Sequence, residues 1–159
     1  MRLGALALVA SIALVSPAAT QATSGDASCD ALTARATLRA FVHAFNHGQQ
    51  DRLQRLFAQT PEFGWYSVAP PHGRTNQRAQ DRSSLIAYFR ARHSRMETIR
   101  VTSFSFASTE ERNGARFAHF SGRITRTATD LPLERRGFKA AIRCDLSTQF
   151  VVVSIGTRL

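Results

Sequence analysis

The residues able to do acid–base, nucleophilic or metal chemistry are few in this chain and widely spread. His43 and His47 stand four apart in a stretch of helical pattern and so share one helical face. Two imidazoles at that spacing make half of a zinc site. Zinc needs a third protein ligand, and nothing in the sequence nominates one. Their face lies opposite a stripe of Leu38, Phe41 and Phe45, so they read as solvated histidines. His93 falls on another apolar stripe and reads as a core-edge residue. His119 and Tyr66 are the candidates for a general acid or base. A Gly-x-Ser-x-Gly elbow, a phosphate loop and a paired-cysteine metal motif are all absent. No metal and no cofactor is expected.

Cys29 and Cys144 are the only cysteines, and their meaning depends on compartment. Arg2 is followed by the uncharged apolar run Leu3 to Val15, then Pro17 and the small residues Ala18, Ala19, Thr20 and Ala22. That is the layout of a secretory signal peptide, with Thr20 and Ala22 at the −3 and −1 positions. The run is shorter than the ~20 residues that cross a bilayer as a helix. Residues 1–22 are therefore expected to be removed and the mature chain to be secreted or periplasmic, with no transmembrane segment. Asp26 rules out a lipoprotein cysteine at Cys29. In an oxidising compartment two cysteines are expected to pair; the alternative is two separate thiols, with Cys144 a buried strand residue. Oxidation also argues against a cysteine nucleophile.

The formal net charge is +10, and Lys139 is the only lysine in the chain. A nucleic-acid binder concentrates such charge on one patch and interleaves aromatics. Here the arginines are scattered, and the longest run is Arg135-Arg136, so no nucleic-acid partner is expected and the charge reads as a solvated basic surface.

The elements that position these residues follow from hydrophobic period. Residues 23–29 are a flexible lead-in, and 30–159 form one domain. Asp30 caps a helix to about Asn46, whose stripe is Ala31, Ala34, Leu38, Phe41, Val42 and Phe45. Gly48 ends it. A short helix follows over Gln50 to Ala58, broken by Pro61. Phe63 to Val68 is a strand. Ala69 to Gln80, with Pro70-Pro71 and Gly73, is a loop with room for a short strand. Asp81 caps a third helix to about Arg95, with Leu85, Ile86, Phe89, His93 and Met96 on one face. Arg100 to Ser108 alternates, with Thr102, Phe104 and Phe106 on one face. Asn113-Gly114 is a type I′ hairpin signal. Arg116 to Thr127 returns, with Ala118, Phe120 and Ile124 on one face and Phe117 and His119 on the other. Ala128 to Arg136 is a polar loop. Gly137 to Cys144 and Phe150 to Arg158 are the last strands. The order α-α-β-α-β-β-β-β is α+β, with helices packed on one face of a mostly antiparallel sheet.

The segment Phe41-Val42-His43-Ala44-Phe45-Asn46-His47-Gly48, followed by Asp51, Leu53, Leu56 and Phe57, resembles the first two helices of the nuclear transport factor 2-like (SnoaL-like) superfamily. Gln49 stands where the usual aspartate would be. The element order fits that fold through the closing strand Phe150 to Gly156. The resemblance spans roughly Ala31 to Leu159. It implies a cone-shaped, cystatin-like architecture, with three N-terminal helices packed on a strongly curved sheet around a pocket. Superfamily members include ketosteroid isomerases, polyketide cyclases, dehydratases and non-catalytic binding or dimerising domains, and fold alone does not choose among them.

The isomerase mechanism implied by the resemblance needs a tyrosine donor, an aspartate base and a second acid donor. Matching the Asn-x-Gly turns puts these at Phe41, Trp65 and near Ala140, where no such group exists. Proton transfer and oxyanion stabilisation are both lost. The reading is therefore a domain that binds a small apolar molecule without catalysis. The candidate lining is Trp65, Tyr66, Phe104, Phe106 and Phe120, with His119 as a polar tip. An isomerase, cyclase or dehydratase is the first alternative. A dimerisation or protein-interaction module, using the open face of the sheet, is the second.

Overall fold

The computed structural model of the chain describes residues 28–59, 64–68, 76–79, 81–145 and 148–157. The expected signal peptide, most of the lead-in, Pro61, Phe63, the Pro70-Pro71 and Gly73 region and Arg158 lie outside the described residues.

Asp30 starts α1 (Ala31–Asn46): its carboxylate accepts the Thr33 N–H at 2.8 Å, filling one of the donors a helix leaves open in its first turn. Ala34, Leu38, Phe41, Ala44 and Phe45 recur at helical spacing and are buried. Gly48 stops the helix in the left-handed region at φ 62°. A Cβ there would lie 2.4 Å from the His93 ring, so both the backbone and the close approach call for glycine. The next helix, α2 (Gln50–Leu56), buries Leu53. It ends before the expected Ala58 because Phe57 turns extended and bridges to Phe150.

The sheet has six strands: β1 (Gly64–Val68), β2 (Asn76–Ala79), β3 (Thr98–Arg112), β4 (Ala115–Ala128), β5 (Leu131–Arg143) and β6 (Gln149–Thr157), in the order β2-β1-β6-β5-β4-β3. All neighbours are antiparallel except β1 and β6. The β3–β4 turn is Asn113-Gly114, with φ 52° and 72°, as the type I′ signal requires. Register shifts interrupt β3–β4, β4–β5 and β5–β6. Bulges of this kind bend strands, and here they wrap the sheet around α1, α2 and α3 (Arg82–Ser94). The α+β cone is therefore present, with the helices against its concave face.

Four expectations about local structure need correcting or completing. The loop between β1 and α3 does contain a strand, β2, which pairs along β1. The polar loop over Ala128 to Arg136 is instead a tight turn at Thr129-Asp130 followed by strand from Leu131. Pairing with β4 satisfies the backbone of this stretch whatever its side chains are. Its polarity reports wet faces, while Leu131 alone is fully buried. On α3 the buried stripe runs Leu85, Ile86, Phe89, Arg92. His93 is exposed, and Met96 lies past the helix end at 68% exposure. On β3 a bulge between Val101 and Ser103 breaks the alternation. Thr102 is exposed while Val101, Phe104 and Phe106 are partly buried against the core.

Candidate functional site

Phe41, Trp65 and Ala140 do meet in space. The Phe41 and Trp65 rings lie 5.9 Å apart, and Trp65 and Ala140 flank Val153 from β1 and β5. All three are at most 4% exposed. Around them Phe57, Phe89 and Phe150 stand 5.7–6.1 Å from Phe41, ring to ring. The free space between Leu38, Phe41, Ala140 and Phe150 is about 10 Å³, room for one water at most. Trp65 and Phe120 thus fill the interior, where they were expected to line a pocket. The Trp65 indole N–H has no partner among the described residues. Nothing at these positions can take or give a proton.

The other expected site residues are dispersed. Tyr66 lies half-buried on the opposite face of β1 from Trp65. His119 is on the outer sheet face, 3.1 Å from Glu110, beside a depression of about 490 Å³ with Phe117, Ala141 and Val152. His43 and His47 stack at 4.2 Å, and the His47 Nδ1 is 2.8 Å from the His43 carbonyl oxygen. Among the described residues no three His, Cys, Asp or Glu side chains converge as metal ligands. Cys29 and Cys144 are joined, with Cα atoms 5.4 Å apart; the bridge ties the start of α1 to the end of β5.

The larger opening lies between α1 and β3. It is a groove of about 880 Å³, within the range of small-molecule sites. One end is fixed by Asn46, whose side chain behaves like a neighbouring strand. Its Nδ2 donates to the Ile99 carbonyl at 3.0 Å, and its Oδ1 accepts the Ile99 N–H at 2.8 Å. Both edge groups of β3 are satisfied there. At the other end the Arg35 guanidinium sits 4.9 Å above the Phe104 ring. Between these ties the helix advances about 16 Å and the strand about 16 Å, so the two run side by side in opposite directions. Leu38, Val42, Ile99, Val101 and Phe104 give the groove an apolar lining. Phe104 is the one residue of the expected aromatic set that borders this opening.

Sequence reasoning missed a buried ionic cluster beneath the groove. Glu97 and Arg126 are each 1% exposed and Arg92 8%. Glu97 accepts from Arg92 Nε and, at 2.7 Å, from Arg126 Nε. Arg126 also donates to Ser67 Oγ at 3.1 Å and Tyr88 Oη at 3.3 Å, and the Tyr88 hydroxyl donates to Ser67 at 3.0 Å. Arg92 grips Asp130 with two bonds of 2.9 and 3.0 Å. Burial alone would lower the Arg92 and Arg126 pKa values. For Arg92, the hydrogen bonds and charges of Asp130 and Glu97 outweigh it; for Arg126, attraction to Tyr88 and the bond to Glu97 do. Both stay cationic. Burial pushes the Tyr88 phenol up, against the pull of Arg126. Two guanidinium groups face two carboxylates, and Glu97 has both oxygens occupied. The cluster is a staple joining α3, β1, β4, the residue before β3 and the β4–β5 turn, with no free base in it. The signal was available: Arg126 continues the inward alternation Phe120, Gly122, Ile124, and Arg92 follows Leu85 and Phe89 at helical spacing.

No family model and no curated protein sequence matches the chain. Solved structures do match. A nuclear transport factor 2-like protein of unknown function from Shewanella oneidensis has a TM-score of 0.55 at 12% identity, over 77% of this chain and 95% of that one. A protein of unknown function with a cystatin-like fold from Nostoc punctiforme has a TM-score of 0.59 at 13% identity, over 78% and 87%. A nuclear transport factor 2-like superfamily protein from Salmonella enterica has a TM-score of 0.55 at 12% identity, over 78% and 87%. At such identities the likeness is one of fold.

Proposed function

We propose that this chain, which has the nuclear transport factor 2-like fold, is an exported binding domain. In this reading it holds a small, largely apolar molecule in the α1–β3 groove and does not transform it. The observation that carries the reading is the contrast between two places. The groove is open and apolar-lined. The interior, where the fold's isomerases keep their machinery, is closed by Phe41, Trp65 and Ala140. Burying apolar ligand surface gains roughly 25 cal/mol per Å² before the costs of association, so binding needs no catalytic group.

The test is a pair of measurements on the purified mature protein. Titration with a neutral apolar fluorophore such as N-phenyl-1-naphthylamine is expected to give saturable binding. A β,γ-enone isomerisation assay is expected to run at the buffer rate. Turnover well above that rate would refute the non-catalytic reading, and no saturable binding would refute the binding reading.

A second reading, self-association, is favoured by the outer sheet face. There Val152 is 37% exposed beside the partly buried Phe117 and the depression near His119. Sedimentation that stays monomeric at high concentration would remove it.

A further inference from the structure

The groove has a charge as well as a shape. Its lining contains Arg35, Arg39, Arg100 and Arg126, and no aspartate or glutamate. Arg126 is consumed by Glu97, Ser67 and Tyr88 below the surface. Arg35 is spread over Phe104. Arg39 on α1 and Arg100 on β3 are exposed, and among the described residues neither has an ion-pair partner. The apolar side chains lie between the two rows: Leu38 and Val42 are on the sheetward side of α1, and Ile99 and Val101 are partly or fully buried on β3. The result is an apolar trough about 16 Å long with uncompensated guanidinium groups on both banks.

We propose that the groove takes a free amphipathic carboxylate, an elongated apolar body with one anionic head, and that Arg39 and Arg100 hold the head. This rests on the binding reading above and assigns its ligand class. Three observations favour it over the alternatives. A neutral apolar ligand leaves the two guanidinium groups unused. A cation is repelled from a lining with no acid in it. A phosphate-rich polymer leaves the apolar floor exposed. Guanidinium groups suit carboxylates because their donors form a planar fork that matches two oxygens. The head contact is near the surface and screened, so its effect is modest and falls with salt.

The experiment compares decanoate, 1-decanol and decyltrimethylammonium by calorimetry, below micelle-forming concentrations, in low and high salt. Decanoate is expected to bind about tenfold tighter than decanol, the effect of one well-made charged contact, and the cation weakest. In Arg39→Gln with Arg100→Gln, most of that preference is expected to vanish while decanol affinity stays. Arg135→Gln, on β5 outside the groove, is expected to keep the preference. Equal affinity for decanoate and decanol would overturn the carboxylate assignment while leaving the binding reading intact. Binding of none of the three would sink both. Retention on phosphatidylglycerol vesicles without binding of monomeric decanoate would overturn it in favour of a membrane surface.

Discussion

Replacing Glu97 with glutamine tests the ionic cluster with the smallest possible change of shape. The side chain is fully buried and bridges two guanidinium groups. In Glu97→Gln one oxygen becomes an NH2 donor that must face a guanidinium donor. Arg92 keeps its two bonds to Asp130. Arg126 keeps its bonds to the Ser67 and Tyr88 hydroxyls but loses the carboxylate charge that Glu97 sets against its Nε. Breaking a buried pair by removing one partner costs about 3–5 kcal/mol. The surviving Asp130 contact places this case at the lower end, about 3 kcal/mol. For a domain of this size that is a fall in Tm of about 10–15 °C. The assay is urea unfolding followed by the emission of Trp65, the only tryptophan in the chain, which is 1% exposed and 5.5 Å from the Tyr88 ring. The midpoint should fall with the slope unchanged. The double variant Glu97→Leu with Arg126→Met removes charge from both sides and should cost less than the single change. A loss below about 1 kcal/mol in Glu97→Gln would refute the argument, because the charge would then be reaching water.

Four further outcomes follow from other parts of the molecule. Asn46→Ala leaves both edge groups of Ile99 unpaired and should cost about 1–3 kcal/mol, read from the same unfolding curves; Asn46→Asp should not rescue it, since a carboxylate cannot donate to the Ile99 carbonyl. The Cys29–Cys144 bridge spans a separation of 115 residues, which corresponds to about 4–5 kcal/mol in the chain-entropy treatment; free-thiol titration of denatured, unreduced protein should give no signal, and two thiols per chain would contradict the pairing. Asp30 and Asp81 are held below their usual pKa by hydrogen bonds from the Thr33 and Ser84 N–H groups, and Asp130 by its bonds from Arg92; their stabilisation is therefore present above the unfolded value of 3.8 and lost as pH falls below it, so an acid unfolding curve should steepen there and Asp130→Asn should flatten part of it. Intact mass of the natively exported protein should show a chain beginning near Thr23, and retention of residues 1–22 would overturn the assignment of compartment.

What the sequence determined by itself was whatever depends on neighbours along the chain. The caps Asp30 and Asp81, the stop at Gly48, the Asn113-Gly114 turn and the alternation Ala118, Phe120, Ile124 are local rules, and each produced its element where expected. The class α+β followed from their order, and the cone from the family resemblance carried by Phe41 to Phe57. What only the tertiary structure decided was whatever depends on partners far apart in the chain. Thr129-Asp130 and the strand from Leu131 are set by pairing with β4, which polarity does not encode. Arg92 and not His93 faces inward because Glu97 and Asp130 wait there. Trp65 and Phe120 looked like pocket lining because aromatic residues suit both a wall and a filling. Only the rings of Phe41, Phe57, Phe89 and Phe150, arriving from α1, the residue after α2, α3 and β6, close the space. Likewise the groove exists because Asn46 binds the edge of β3 while the side chains beyond it stop short of one another, and a gap between two surfaces is a property that neither surface carries in its own sequence.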